Sequence, residues 1–152
     1  LADVPMIGAF LDGATLTSGY SSSEVATVAN TSDAFDATVA LNYSAGALSL
    51  GVQKKLHNEG ETTTAADEVF YKDTVIGIAY AVNDELSLSY NRYTSARHQN
   101  TTVNPEQETD AINIGYTVGG MTIGFQDAQT DNAGWVLAAK DDTRTIGVSV
   151  AF

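Results

Sequence analysis

Apolar and small polar side chains alternate along most of this sequence with a period of two residues. Residues 143–152 show the pattern most clearly, because Ile146, Val148, Val150 and Phe152 fall on one face of an extended strand. Small or weakly polar residues fall on the other face. The pattern therefore indicates a sheet with one apolar and one polar side. A half-buried strand of a soluble sandwich alternates in the same way, so the rest of the chain must decide between the two.

The alternation is organised in hairpins. Tyr43, Tyr80, Tyr116 and Phe152 follow one another at steps of 37, 36 and 36 residues. Each of the three tyrosines lies in an alternating strand that is followed by a tight Gly, Asn or Asp turn and a second alternating strand. A propeller blade needs about four strands in a similar length. Each period here holds two strands, so the repeating unit is a hairpin.

We predict nine strands, joined by connections that alternate in length. The strands span residues 6–10, 14–20, 35–43, 47–55, 71–82, 86–93, 109–118, 121–128 and 143–152. The connections have two to four residues on one side and ten to sixteen on the other. Short turns opposite long loops, joined by strands of about 9–11 residues, are typical of an outer-membrane β-barrel.

Aromatic residues gather at two levels, as expected at two membrane interfaces. Those predicted near the short turns are Phe10, Tyr43, Tyr80, Tyr116 and Phe152, and those predicted toward the long loops are Tyr20, Phe35, Tyr93 and Phe125. Aromatic side chains in the core of a soluble sandwich would explain the composition but not the two levels. The sequence therefore favours the membrane barrel over the sandwich.

Composition and isolated motifs give little support to catalysis or to nucleic-acid binding. The net charge of −12 is opposite to that of most nucleic-acid-binding proteins. The chain has no cysteine, and His57 and His98 lie in predicted loops without carboxylates at metal-ligand spacing. We expect no enzymatic activity, no cofactor and no metal. The chain starts at Leu1, so we expect a mature product or a fragment.

The terminal strand and the hairpin pattern together resemble Gram-negative general porins of the alphaproteobacterial type, in their C-terminal part. The resemblance extends over the whole chain, and its most specific element is the strand that ends Val148-Ser149-Val150-Ala151-Phe152. It implies an all-β fold, in which residues 1–152 form one antiparallel transmembrane wall of about 8–9 strands within a barrel of about 16. It also implies an outer-membrane location, a possible homotrimer and recognition of the terminal strand by the barrel-assembly machinery. No segment matches the family's pore loop.

Parity along the predicted strands assigns side chains to the two faces of the wall. The predicted pore-lining residues are Thr15, Thr17, Asp36, Thr38, Asn42, Ser49, Gln53, Lys55, Asp73, Ser87, Ser89, Asn91, Asn113, Thr117, Thr122, Gln126 and Ser149. The cations predicted to lie on the lipid-facing rim, where they could pair with lipopolysaccharide phosphates, are Lys54, Lys72, Arg92 and Arg144. Snorkelling of these side chains toward water is the simpler alternative.

The sequence leaves two sizes of barrel open. An eight-stranded barrel has an interior just wide enough to be filled by side chains, and it would suit an anchor or adhesin. The predicted inward residues are mostly Gly, Ala, Ser, Thr and Asn, which would leave so narrow a barrel under-packed. We therefore expect part of a wider, water-filled porin that passes small hydrophilic solutes and ions.

Deletion of Phe152 tests the predicted assembly signal. The aromatic side chain completes the apolar row of the terminal strand, so its loss should lower the fraction of protein that folds and inserts. The measurement is the heat-modifiable, folded fraction in outer membranes. Unchanged insertion kinetics would contradict the prediction.

Overall fold

The described part of the chain is a single antiparallel sheet. The computed structural model describes residues 12–23, 33–60, 69–99 and 102–151. The strands are β1 (Ala14–Ser23), β2 (Ala34–Ala45), β3 (Leu48–Asn58), β4 (Val69–Ala81), β5 (Leu86–Gln99), β6 (Thr102–Val103), β7 (Gln107–Val118), β8 (Met121–Asp131) and β9 (Lys140–Val150). Within these ranges, a 3₁₀ turn at Ala133–Trp135 is the one helical segment, and no helix is long and apolar enough to span a membrane.

The strands form a meander in which neighbours in sequence are neighbours in space. Their order is β1-β2-β3-β4-β5-β7-β8-β9, and the two-residue β6 pairs with the end of β5. The predicted all-β, antiparallel class is therefore confirmed. Among the described residues, β1 pairs only with β2 and β9 only with β8, so the sheet is open. The predicted strand at residues 6–10 lies outside the described residues.

The strands extend further toward the long connections than the sequence pattern predicts. β5 runs to Gln99 instead of residue 93, and β8 runs to Asp131 instead of residue 128. The prediction that His57 and His98 lie in loops is wrong, because they belong to β3 and β5. At the strand ends nearest the long connections, which we call the upper strand ends, both faces carry mostly polar or aromatic side chains. The two-residue alternation of hydrophobicity is therefore lost there, although the backbone continues the ladder.

The register displaces successive hairpins along the strand direction. Ala45 pairs with Leu48 at the β2–β3 turn, and the cross-strand row that contains Leu48 reaches β7 at Ile114. The β7–β8 turn follows Val118, which is 118 − 114 = 4 residues further along. From β2 to β7 there are four steps between neighbouring strands, so the displacement of four residues corresponds to about one residue of stagger per strand. With about 3.3 Å per residue and about 4.8 Å between strands, the strands tilt by about 35° relative to the line of short turns.

The apolar face of this sheet is the more exposed one, whereas in a soluble protein the apolar face is buried. Large apolar side chains project from one face into the open, and Ile76 and Ile112 keep 55% and 54% of their surface exposed. The small residues Gly77 and Ala79, on the other face of β4, are half-buried. Among the described residues, Val69 is the single buried apolar side chain. The chain therefore has no apolar core of its own in this region.

Gly13 provides a test of the pairing between β1 and β2. Its φ is +89°, and a Cβ built there would lie 2.2 Å from the carbonyl oxygen of Ser44. Gly46 also has a positive φ, +55°, but a Cβ there would meet no atom within 4 Å. We expect Gly13→Ala to lower the free energy of unfolding by about 2 kcal/mol more than Gly46→Ala, since only the former adds a backbone clash. Urea unfolding in detergent measures the difference, and equal effects would contradict the register.

Candidate functional site

All seventeen predicted pore-lining residues lie on one face of the sheet, which we call the polar face. Residues paired across neighbouring strands share a face, and Thr15, Asn42, Gly51, Gly77 and Asn91 are connected by such pairs from β1 to β5. The same continuity holds for the remaining strands. Whether this face lines a pore stays a prediction, but the structure brings the residues together as one surface.

The half of the polar face nearest the short turns is uncharged and is held by hydrogen bonds between side chains. The hydroxyls of Ser44 and Ser49 are 3.1 Å apart, and those of Thr117 and Thr122 are 3.0 Å apart. These pairs join neighbouring strands at positions opposite each other. Because small hydroxyl groups satisfy one another along the surface, they stay close to the backbone and leave the space above it free.

Glycines opposite longer polar side chains allow this face to be concave. The side-chain oxygen of Asn42 would lie 2.8 Å from a Cβ at Gly51, and that of Asn91 would lie 2.7 Å from a Cβ at Gly77. The amide side chains therefore lie across the neighbouring strand's glycine, as is common where backbone must be approached closely. Hollows of about 460 and 440 Å³ lie over the polar face. Small residues of this face, such as Gly77 and Ala79, are half-buried, whereas the large apolar side chains of the opposite face are exposed, which indicates that the sheet curves around its polar side.

Charges on the polar face are concentrated at the end where the long connections lie. Oδ1 of Asp36 lies 3.0 Å from the Lys55 ammonium nitrogen and 3.0 Å from Nδ1 of His57. On the neighbouring strands, Asp73 accepts hydrogen bonds from the hydroxyls of Ser95, at 2.7 Å, and Tyr93, at 3.1 Å. The predicted inward direction of Asp36, Lys55 and Asp73 thus agrees with the register. Their charges belong to a hydrogen-bonded network that fixes their positions.

Besides His57, Tyr93 and Ser95, three further residues of this charged end were not predicted as part of the site. Tyr71 and Arg97 share the row of Asp36 and His57 on the polar face. Trp135, from the β8–β9 connection, contacts this row, with its ring centroid 5.1 Å from that of Tyr71. Parity along the predicted strand 71–82 already assigns Tyr71 to this face, and it would have assigned Arg97 if the predicted strand 86–93 had been extended far enough. No local pattern in the sequence indicates the position of Trp135.

The structure corrects two members of the predicted aromatic levels. Tyr93 lies on the polar face, where it pairs with Val75 and donates to Asp73, so it does not belong to an aromatic level of the apolar face. Phe125 lies in the middle of β8 instead of toward its long connection, since β8 continues to Asp131.

The level near the long connections also includes residues that the prediction left out. Phe70 and His98 stack there on the apolar face, with ring centroids 4.6 Å apart. Phe70 was missed because β4 begins two residues earlier than the sequence pattern predicts.

The four predicted rim cations share the apolar face but fall into two groups. The guanidinium of Arg92 forms a bidentate contact with Asp110, at 2.8 and 2.9 Å, and a further contact with Glu108 at 3.3 Å. Arg144 contacts Asp127 at 3.2 Å. These two cations are neutralised by neighbouring strands.

Lys54 and Lys72 have no ion pair within the described ranges. Both border a hollow of about 540 Å³ whose other walls include Ala37, Leu56 and Ala96. The Lys72 ammonium also lies 5.2 Å from the centre of the Phe70 ring. Asp73 and Glu106 also line this hollow, but neither makes a salt bridge with Lys54 or Lys72, so these two lysines are the predicted rim cations without a direct ion pair in the described chain.

The predicted assembly signal lies on the last strand of the sheet. Ile146, Val148 and Val150 share the apolar face of β9 and are strongly exposed. Phe152, the fourth residue of that signal, lies outside the described residues. The outer backbone edge of β9 has no strand partner in the described part of the chain.

A comparison of the chain with protein-family models, curated proteins and solved structures found no match. In the ranges that the structure describes, no group of three or more His, Cys, Asp or Glu side chains is placed to hold a metal ion. The site is therefore defined by its geometry alone.

The Arg92–Asp110 pair on the apolar face generates a stability prediction. Asp110 accepts two hydrogen bonds from Arg92 and one from the Tyr90 hydroxyl, whereas Asp131 on the same face makes a single contact with Lys140 at 2.9 Å. Asp110→Asn should reduce the free energy of unfolding by about 1 kcal/mol more than Asp131→Asn, because bidentate pairs are stronger than single exposed ones. Urea unfolding in detergent measures both variants. A larger effect at Asp131 would contradict this account of the network.

Proposed function

We propose that this chain forms part of the wall of an outer-membrane porin, through which small hydrophilic solutes and ions diffuse passively. The observation that carries the proposal is the reversed exposure of the two faces. In a soluble barrel the concave side is filled with apolar side chains. Here the concave side is polar and the opposite side carries an exposed apolar band, as in a barrel with lipid outside and water inside.

The dimensions of the sheet support the same proposal. The eight long strands have 10 to 14 residues, and a tilted strand needs about 9–11 to cross a bilayer. The tilt of about 35° calculated from the register is within the range that barrel closure requires. Connections of two to four residues on one side face longer connections on the other, as in outer-membrane barrels with short periplasmic turns.

The chemistry of the polar face favours passive diffusion over specific binding. Its half nearest the short turns presents hydroxyls and amides that already bond to one another, such as Asn113, which donates to Ser89 at 3.2 Å. A surface of this kind competes weakly for a passing solute. The charged end, with Asp36 and Asp73, is where the field acting on ions is strongest.

The alternative proposal is a small eight-stranded barrel that acts as an anchor or adhesin. The even number of long strands favours it, since β1 and β9 could pair and close such a barrel. The small side chains of the polar face argue against it, because they would leave the interior of a narrow barrel under-packed. We therefore favour a wide barrel of about 16 strands, assembled as a homotrimer and inserted through recognition of β9 by the barrel-assembly machinery.

Conductance across a planar bilayer tests the function, and its ion preference tests the role of the charged end. The protein should be extracted from membranes only with detergent and should then form water-filled channels. Acidic residues near a pore mouth concentrate cations, so we expect a modest cation preference that decreases at high salt, where the Debye length falls to about 3 Å at 1 M. Reversal potentials in a salt gradient measure it.

Neutral variants give the control for ion preference. Asp73→Asn should weaken the preference for cations, whereas Asp131→Asn, on the apolar face, should leave it unchanged. Anion preference of the unmodified protein would contradict the electrostatic part of the proposal. A folded monomer that conducts little current would favour the anchor.

Lipopolysaccharide is the proposed lipid partner at the rim, and the structure refines which cations would bind its phosphates. Lys54 and Lys72 are free of described ion pairs, whereas Arg92 and Arg144 are already paired. We expect the double variant Lys54→Gln, Lys72→Gln to reduce co-purified lipopolysaccharide severalfold, since each contact near a charged lipid surface contributes about 1 kcal/mol. The matched variant Arg92→Gln, Arg144→Gln should reduce it less. The opposite order would favour simple snorkelling of the lysines.

A further inference from the structure

The β8–β9 connection folds back across the polar face. We call residues 132–139 the strap. The side-chain amide of Asn132 donates to the carbonyl of Glu106 at 2.9 Å, and the Gly134 amide donates to Oε1 of Gln107 at 2.8 Å. The Trp135 indole then donates to the carbonyl of Ser95 at 3.0 Å. Because Ser95 belongs to β5, the strap passes over β7, the strand between β5 and its own strand β8.

Trp135 anchors the tip of the strap among side chains of the polar face. Its ring lies 5.1 Å from that of Tyr71 and 5.9 Å from the guanidinium carbon of Arg97. Tyr71 belongs to β4, three strand positions from β8, which corresponds to about 14 Å across the sheet. The strap therefore covers a substantial part of the polar face at the end nearest the long connections.

The conformation of the strap indicates a fixed element. The side-chain oxygen of Asn132 accepts the Ala138 amide at 3.0 Å, and the Ala133 amide donates to the Ala139 carbonyl at 3.0 Å. Asn132, Trp135 and Ala138 all have positive φ, between 52° and 62°. Three such residues within seven positions persist only where surrounding contacts hold them, and they are characteristic of functional segments.

We propose that the strap narrows the aqueous passage beside β5 and β7 and sets the upper size of solute that passes. Trp135 is the residue that holds the strap in place. The inference rests on the proposed porin function and adds its size-selecting element. Below the strap, the polar face of β7 and β8 carries small side chains such as Thr109, Ala111 and Ala128, so the strap is the bulkiest described element over these two strands. The indole hydrogen bond and the ring contact with Tyr71 hold it over the face. The determinant is steric, so neutral solutes of graded size are the solutes it separates.

Cysteine accessibility tests the strap independently of conductance, because the chain has no native cysteine. Thr109 and Gln53 occupy the same cross-strand row of the polar face, but Thr109 lies on β7, next to the strap, and Gln53 lies on β3. Thr109→Cys and Gln53→Cys are each made in the unmodified background and together with Trp135→Ala. The folded protein in outer membranes is then treated with a small maleimide and with a polyethylene-glycol maleimide.

Trp135→Ala should raise the rate of Thr109→Cys modification by the bulky reagent about tenfold, the factor expected when an anchoring ring contact and hydrogen bond are lost. The rate at Gln53→Cys should not change. Leu137→Ala is the matched control in the strap, since Leu137 is 79% exposed and anchors nothing that the structure describes. If Trp135→Ala does not fold, Gln107→Ala, which removes the contact with Gly134, replaces it.

The outcomes distinguish failure of the strap proposal from failure of the porin proposal. In one outcome, both cysteines react with the small reagent, but neither Trp135→Ala nor Gln107→Ala changes the rate at which the bulky reagent modifies Thr109→Cys. The strap is then not a size filter, and the porin proposal stands. If neither cysteine reacts even with the small reagent, water does not reach the polar face and both proposals are overturned. Larger single-channel conductance of Trp135→Ala than of Leu137→Ala would be the corresponding functional result.

Discussion

An apolar face of this extent must be covered by something other than water, and the rest of the structure depends on that constraint. Ile76, Ile112 and Ile146 belong to a band that crosses every long strand and that nothing in the described chain covers. At about 25 cal/mol per Å² of apolar surface, leaving such a band in water is strongly unfavourable. A bilayer removes this cost while the sheet ladder satisfies the backbone, provided that the edges are also paired. The edges of β1 and β9, which have no strand partner in the described part of the chain, are for this reason as important to the proposal as the band itself.

The polar face follows from the same constraint. In the proposed barrel the apolar side chains point to lipid, and every second residue then points the other way, toward the concave side. There, small residues and glycines such as Gly51 and Gly77 allow Asn42 and Asn91 to lie flat across neighbouring strands. The wall is thus thin, uncharged and hydrogen-bonded near the short turns. Charged groups and the strap are added only where the strands extend past the apolar band.

The sequence was sufficient to predict the class, the meander and the assignment of side chains to faces. Once a strand is recognised, the period of two residues fixes the face of every side chain in it. Residues as far apart as Thr15 and Ser149 were for this reason placed on one face correctly. It was insufficient where hydrophobic alternation stops before the backbone ladder does. His57, Phe70 and His98 lie in such upper strand ends, and their place depends on cross-strand pairing.

Tertiary contacts were also beyond the reach of sequence patterns. The contact of Trp135 with Ser95 joins residues 40 positions apart, and nothing local encodes it. The difference between paired and unpaired rim cations also depends on tertiary contacts. Arg92 is neutralised by Asp110, which lies opposite it on the next long strand, whereas the residue opposite Lys72 on the next strand is Ala96. Parity gives the face of a side chain, but its partner depends on register.

Site-directed spin labelling along β7 tests the central claim most directly. Single cysteines at residues 112–117, in a chain without native cysteine, would carry a nitroxide in the membrane-inserted protein. We expect labels at Ile112, Ile114 and Tyr116 to be relaxed by dissolved oxygen, which concentrates in lipid. Labels at Asn113, Gly115 and Thr117 should instead be relaxed by a water-soluble nickel chelate. A strand whose even-numbered positions are shielded from oxygen would mean that protein, and not lipid, covers the apolar face, and would contradict the account.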